Sequence, residues 1–313
     1  MPRTRLAPSP TGALHLGNAR TFLVTWALAR QRGWEIVLRL EDLDGPRVKP
    51  DAAAEAIDIL AWLGLDWDAG PTTQRSDLAP YQAALDRLAR QGAIYPCRCT
   101  RREIEAAALS APHADDHEVR YPGSCRPPQP TPADFADPAH AGAAWRVRVP
   151  PGATELDDAY AGRHVHDVQG TSGDYLVATK EGLPSYQLAV VVDDARQQVD
   201  RIVRGDDLLG STHRQRLLQR LLGLPIVDQY VHLPLVVGGD GRRLAKRHGD
   251  SRLSHYRAGG VAPERIVGLL AHWCGWPERR PLAAAQFARD LDLAALPKGP
   301  VVFTLEDDAW LRG

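Results

Sequence analysis

Three groups of residues in this chain have types and spacings that can do chemistry. The first lies between Arg5 and Arg20, Arg-Leu-Ala-Pro-Ser-Pro-Thr-Gly-Ala-Leu-His-Leu-Gly-Asn-Ala-Arg. Two prolines and two glycines force irregular backbone from Ala7 to Gly17. Phe22, Leu23, Trp26, Ala27 and Arg30 then recur at helical spacing until Gly33. An imidazole, His15, thus sits on a loop that feeds a helix N-terminus, where free N–H groups and the helix dipole suit a phosphate. The second group is Gly238-Gly-Asp-Gly-Arg-Arg-Leu-Ala-Lys-Arg-His-Gly249, a glycine-bracketed loop dense in cations. Lys246 on such a loop can meet charge as it builds on a leaving phosphate. The third is Cys97-Arg-Cys99 with Cys125, three thiols in a segment with little core of its own, which fit a structural zinc site. Spacing alone offers His113 or His117 as the fourth ligand.

Elements must carry these groups. Residues 1–92 read as alternating strands and helices. Glu35–Glu41 is a strand whose carboxyl end bears Glu41. A helix starting at Asp51 presents Ile57, Leu60 and Leu63 and ends at Gly64, and another runs from about Leu78 to Gln91. Such alternation predicts a parallel sheet with helices on its faces and a ligand at the strands' carboxyl ends. Residues 93–185 break the pattern and read as an insertion. Thr100-Arg-Arg-Glu103 is a capping box, residues 109–143 are loop, and Trp145-Arg-Val-Arg-Val149 alternates as a half-exposed strand. Residues 186–250 resume the sheet pattern. There the hydrophobic run Tyr186–Asp194 is compatible with a buried strand or a buried helix. It is followed by a strand at Arg201–Gly205 and a helix from Ser211 to Leu222. Residues 251–313 are helical, with Ile266, Leu269, Leu270 and Trp273 on one face and Cys274 as a core residue.

The 313 residues carry a formal charge of −1, so RNA contact would need local arginine clusters and not a bulk basic field. The N-terminus lacks a signal-peptide core and no apolar run approaches bilayer length, which excludes a membrane role. Four cysteines without a secretory signal predict a cytoplasmic protein with free thiols.

The segment Ser9-Pro-Thr-Gly-x-Leu-His15-Leu-Gly17-Asn18 resembles the "HIGH" signature of class I aminoacyl-tRNA synthetases in its glutamyl/glutaminyl form, with Asn18 where the second histidine stands. Arg243-Leu-Ala-Lys246-Arg247, about 230 residues later, resembles the "KMSKS" loop of the same family, with Ala245 replacing the usual serine. The resemblance implies an α/β class I catalytic domain of Rossmann type with a zinc-bearing insertion and a short helical C-terminal region. It implies a ligase that activates L-glutamate with ATP and Mg2+. His15, Asn18 and Lys246 would be the catalytic residues, joined by Gly17 in ATP binding. The family's glutamate pocket maps onto Arg5, Ala7, Ser9, Glu41, Tyr186 and Arg204. Glu41 would face the substrate ammonium, Arg5 and Arg204 its carboxylates by their planar forks, and Tyr186 would form a wall. Val190 stands where ordinary glutamyl-tRNA synthetases have Asn, which implies a lost polar contact near the substrate.

A narrower resemblance concerns the acceptor. Some truncated glutamyl-tRNA synthetase paralogues attach glutamate to the queuosine base in the anticodon loop of tRNA(Asp), and in these a tyrosine completes the cysteine set. That maps onto Cys97, Cys99, Tyr121 and Cys125 as zinc ligands, leaving Tyr121 and the two histidines as alternatives for the fourth position. Only 67 residues follow Lys246, room for a short helical tail but not for an anticodon-binding region. Val190, the tyrosine and the tail together imply an enzyme acting on queuosine-containing tRNA(Asp); a monomer is expected. The competing expectations are a catalytic fragment that charges tRNA(Glu) and an inactive RNA-binding paralogue.

Overall fold

The computed structural model describes residues 1–43, 48–49, 51–109, 120–242, 244 and 251–313. It opens with strand β1 (Arg3–Leu6), helix α1 (Leu16–Arg32), β2 (Glu35–Leu40), α2 (Ala52–Trp62), β3 (Ala69–Thr73) and α3 (Ala79–Arg90). The three strands form a parallel sheet in the order β1-β2-β3, with Arg5 opposite Val37. β1 and β2 are buried along nearly their whole length, as expected of parallel strands covered on both faces. α1 stops at Gly33, whose φ of +63° and N–H bond to the Ala29 carbonyl form a left-handed cap that glycine enters without steric cost.

Residues 93–185 contain β4 (Ile94–Cys97), α4 (Arg101–Leu109), β5 (Ala144–Val147), β6 (Thr154–Asp158), β7 (Gly162–His166), α5 (Val168–Thr171) and β8 (Leu176–Ala178). β4, β5 and β8 form an antiparallel sheet, and β6 pairs with β7 as a hairpin. The capping box that precedes α4 is formed: Thr100 N–H donates to Glu103 Oε2 at 2.6 Å, and Glu103 N–H to Thr100 Oγ1 at 3.3 Å. β5 departs from the half-exposed strand its alternation predicts, because all four of its residues are buried. Arg146 is covered since its Nη1 donates to the Asp174 carbonyl at 2.7 Å and its guanidinium lies over the Tyr121 ring. A charged residue alternating in a strand reads as solvent-facing only until another segment folds over it.

The second half supplies α6 (Tyr186–Arg196), β9 (Arg201–Gly205), α7 (Leu209–Leu222), β10 (Gln229–Leu233) and β11 (Val236–Val237). The run Tyr186–Asp194, open between strand and helix in the sequence, is helix α6, buried from Leu188 through Asp194 among α3, α7 and β8. A helix enclosed on all sides loses its polar stripe, and with it the periodicity that would identify it. β9 and β10 pair in parallel, Arg204 opposite His232. β9 lies beside β1: Asp200 N–H donates to the Arg3 carbonyl at 3.0 Å, and Arg5 Nη1 to the Val203 carbonyl at 3.2 Å. The carboxyl ends of β1, β2 and β9 therefore open on one region.

The chain closes with α8 (Leu253–Ala258), α9 (Pro263–His272), α10 (Ala284–Asp290), β12 (Val301–Val302) and α11 (Leu305–Arg312). Ile266, Leu269, Leu270, Trp273 and Cys274 join α1 in the main core. β12 is a strand within a segment that reads as helical, and it pairs in parallel with β11. No helix among the described residues is long and apolar enough to cross a membrane.

Candidate active site

His15 is the N-cap of α1, with extended backbone (φ −104°, ψ 162°), and its N–H donates to Asn18 Oδ1 at 3.3 Å. The loop before it is tied at both ends. Glu41 N–H donates to the Pro8 carbonyl at 3.0 Å, which draws the end of β2 onto the loop. On the other side Leu16 N–H donates to the Ser251 carbonyl, Leu253 N–H to the Leu14 carbonyl, and His15 pairs antiparallel with Arg252. The prolines and glycines forbid regular structure here, so the backbone groups find partners on two distant segments.

Between these elements lies a cavity of about 600 Å³ lined by Arg5, Ala7, Ser9, His15, Gly17, Asn18, Glu41, Tyr186 and Arg204. Nine of the ten residues expected to bind glutamate or ATP thus share one wall system. The tenth, Lys246, lies outside the described residues, although Leu244 also lines the cavity. The N-terminus of α1 opens here through Gly17 and Asn18, so its dipole offers the cavity a positive end. A Cβ on Gly17 would come within 3.5 Å of Val236, an ordinary contact distance.

Charge is concentrated beneath one end. Arg39, 1% exposed, bonds Asp194 at 2.8 Å and Glu41 at 3.1 Å, and Arg5 Nε lies 3.7 Å from Asp194. Asp193 accepts from Tyr81 Oη at 2.8 Å and from Gln74 Nε2 at 2.7 Å. Burial pushes the Glu41 carboxyl above its ordinary range, while Arg39 and Arg5 pull it back. Burial also lowers the Arg5 pKa, opposed by Asp194. Arg5 Nε and Arg204 Nη1 are buried and have no hydrogen-bond partner among the described residues. A buried guanidinium N–H without an acceptor is costly, so cavity-lining arginines that keep one are suited to an anionic guest. Tyr186, the first residue of α6, is 39% exposed and lines the cavity, to which its phenol offers a neutral donor.

Val190, where the resemblance implied a lost polar contact, is 1% exposed, belongs to the core around α6 and does not line the cavity. One turn beyond Tyr186, α6 has already entered the interior.

The cysteine set forms a second, separate cluster. The sulfurs of Cys97, Cys99 and Cys125 lie within 4.8 Å of one another, with Cys99 and Cys125 3.4 Å apart. Tyr121 Oη stands among them, 3.4 Å from Cys97 Sγ and 3.7 Å from Cys99 Sγ, and accepts the Cys125 N–H at 2.8 Å. His113 and His117 lie outside the described residues. Three thiols this close together, with a phenol oxygen among them, have the donor chemistry of a tetrahedral zinc site, whose Zn–S bonds are about 2.3 Å. Arg146 Nε lies 3.4 Å from Cys97 Sγ, so a cation stands by the thiols.

Several residues around the cavity escape a reading of spacing. Arg39, Asp193 and Asp194 form a buried charged layer behind Glu41 and Arg5, and His232 and Thr212 hold Arg204, with Asp158 behind His232. The one available signal was a pair of adjacent carboxylates closing an otherwise apolar run at Asp193-Asp194.

Comparison with known proteins follows the same lines. A family profile described as tRNA synthetases class I (E and Q), catalytic domain, matches residues 2–307. The chain is 43% identical to a glutamyl-Q tRNA(Asp) synthetase of Symbiobacterium thermophilum, over 99% of this chain and 98% of that protein. It is 38% identical to a glutamate–tRNA ligase of Anaeromyxobacter dehalogenans, over 99% of this chain and 66% of that protein. Its fold matches the crystal structure of a glutamate tRNA ligase from Elizabethkingia meningosepticum in complex with its amino acid. There the TM-score is 0.81 and the identity 23%, covering 99% of this chain and 68% of that one. The chain belongs to the class I tRNA synthetases of the glutamyl and glutaminyl group.

Proposed function

We propose that this protein activates L-glutamate with ATP and transfers it to the queuosine base of tRNA(Asp). The observation that carries the reading is near full-length similarity to a glutamyl-Q tRNA(Asp) synthetase, 43% identical over 98% of that protein. The lining of the cavity at the carboxyl ends of β1, β2 and β9 supports the activation half. Glutamate would lie with its ammonium toward Glu41 and its carboxylates toward Arg5 and Arg204, beside Tyr186. Its α-carboxylate would attack the α-phosphorus of ATP, forming the mixed anhydride and releasing pyrophosphate. His15 and Asn18, at the positive end of α1, would stabilise the phosphoryl oxygens, and Lys246 the departing pyrophosphate, where charge develops in the transition state. Mg2+ would accompany ATP on the phosphates. A queuosine hydroxyl would then attack the anhydride carbonyl and release AMP.

Zinc in the cluster of Cys97, Cys99, Cys125 and Tyr121 would be structural. A bound ion would hold β4, residues 121–125 and β5 in place through its ligands and through Arg146.

The deciding experiment is labelled-glutamate transfer to purified tRNA(Asp) with and without queuosine, and to tRNA(Glu). Labelling of queuosine-containing tRNA(Asp) alone is expected. Labelling of tRNA(Glu) alone would overturn the acceptor and favour the second reading, a tRNA(Glu)-charging enzyme, to which the 38% identity with a glutamate–tRNA ligase points.

A further inference from the structure

Arg204 does not reach the cavity as a free side chain; three buried residues hold it. Asp158, the last residue of β6, accepts the backbone N–H groups of Tyr160 at 2.9 Å, Ala161 at 2.7 Å and His232 at 3.2 Å on Oδ1. Its Oδ2 accepts His232 Nδ1–H at 2.6 Å, and neither side chain is exposed. With Nδ1 carrying the proton, Nε2 of the neutral ring is an acceptor, and Arg204 Nε–H donates to it at 3.0 Å. Strand register makes this contact, since Arg204 and His232 are direct partners across β9 and β10. Arg204 Nη2 donates to Thr212 Oγ1 at 2.7 Å, and that hydroxyl lies 3.1 Å from His232 Nε2.

The Nε and Nη2 edge of the guanidinium is therefore occupied by protein. The remaining nitrogen, Nη1, has no partner among the described residues, and Arg204 lines the cavity. We infer that Asp158, His232 and Thr212 are positioning residues that orient Arg204 so that one end of its guanidinium is presented to a substrate carboxylate. The tautomer matters. A proton on Nε2 would face the Arg204 Nε–H, and a doubly protonated ring would add a cation beside it. Asp158, itself held by three backbone donors, selects the one form that accepts. Arranging the arginine in advance removes the entropy loss that binding would otherwise impose on a long flexible side chain. The inference rests on the reading that Arg204 binds a carboxylate of glutamate.

The test measures the KM for glutamate and for ATP, and kcat, in glutamate-dependent ATP–pyrophosphate exchange by the full chain. Equilibrium dialysis of labelled glutamate supplies a Kd. His232→Phe keeps an aromatic ring and removes the acceptor. It should raise the glutamate KM and Kd about tenfold or more, the loss of one hydrogen bond to a charged group. The ATP KM and the kcat at saturating glutamate should stay within about threefold. His232→Gln, whose amide oxygen can accept from Nε–H, should recover most of the loss. Thr212→Val should raise the glutamate KM in the same selective way and decides the question should His232→Phe fail to fold. Arg204→Lys separates the two levels. If it leaves glutamate binding unchanged, the carboxylate reading of Arg204 fails. If it weakens glutamate binding while His232→Phe and Thr212→Val do not, the positioning inference is overturned. Equal rises in both KM values, or no recovery with Gln, would overturn it as well.

Discussion

The His15 imidazole and the Ser251 hydroxyl, 236 residues apart in sequence, lie 3.1 Å from each other. This contact joins the loop before α1 to the residue that follows the basic loop, while Leu244, on the near side of that loop, lines the same cavity. Removing the hydroxyl should disturb the orientation of His15 and little else. Ser251→Ala should lower kcat of pyrophosphate exchange by about three- to tenfold, the range of one neutral hydrogen bond, with the glutamate KM within twofold. His15→Ala should lower it by about 10²-fold or more. A Ser251→Ala enzyme with unchanged kcat would show that the contact does not serve catalysis.

Lys246→Ala should reduce glutamate activation by about 10²-fold or more and leave glutamate binding nearly intact, because its proposed interaction strengthens only as pyrophosphate departs. Parallel measurement of exchange rate and glutamate Kd reads this directly. Comparable losses in both would contradict a transition-state role.

Arg39 and Glu41 should separate stability from binding. Arg39 neutralises Glu41 and Asp194 with 1% exposure, so Arg39→Leu leaves buried carboxylates uncompensated. The expected cost is about 3–5 kcal/mol in denaturant unfolding. Glu41→Gln keeps the shape and should change stability far less. It should weaken glutamate binding by about tenfold or more, because the substrate ammonium loses its charged partner. If Glu41→Gln binds glutamate normally, the ammonium lies elsewhere.

The cysteine cluster should carry one zinc per chain, measured by metal analysis of protein purified without chelator. Cys125→Ser should lose the metal and lower the melting temperature. Tyr121→Phe should keep the cysteines in place yet weaken zinc affinity, by on the order of tenfold or more. A tyrosine variant with undiminished affinity would leave the fourth position to another ligand.

Acid should destabilise the protein through buried histidine. His213, 2% exposed, is pushed down to about 4 by burial and by the neighbouring His164 and His166, from an ordinary value of 6.5. Between these values the unfolded chain binds a proton that the folded chain refuses. Its contribution to stability is present above about 6.5 and is lost as pH falls toward 4. Burial lowers the pKa of His232 in the same sense. The melting temperature should therefore fall across this window, and His213→Gln should flatten the slope. An unchanged slope would assign the acid sensitivity to other groups.

Local signals in the chain reached far into the fold. Gly33 and Gly223 end their helices in left-handed caps where the periodicity stops. Thr100 and Glu103 make the capping box their spacing announces. These features depend on a few adjacent residues, and the chain's own stereochemistry is sufficient to produce them. Motif-bearing residues were legible for a related reason: the loop at Ala7–Gly17 needs its prolines and glycines locally, whatever surrounds it.

Residue types and short-range spacing by themselves determined the strand–helix alternation of the first half and several helix limits, and the resemblance of two sequence motifs to a known family pointed to nine of the residues that line the cavity. Tertiary structure alone decided that Tyr186–Asp194 is a helix, that Arg146 is covered by Tyr121, and that β12 returns to β11. It alone brought Asp158, His232, Thr212 and Arg204 together from three strands and a helix. The division has a physical cause. Backbone conformation and capping are set over one or two helical turns. The partner of a buried charge is set by strand register and by which segment folds over which, and those are settled by packing among residues far apart in the chain.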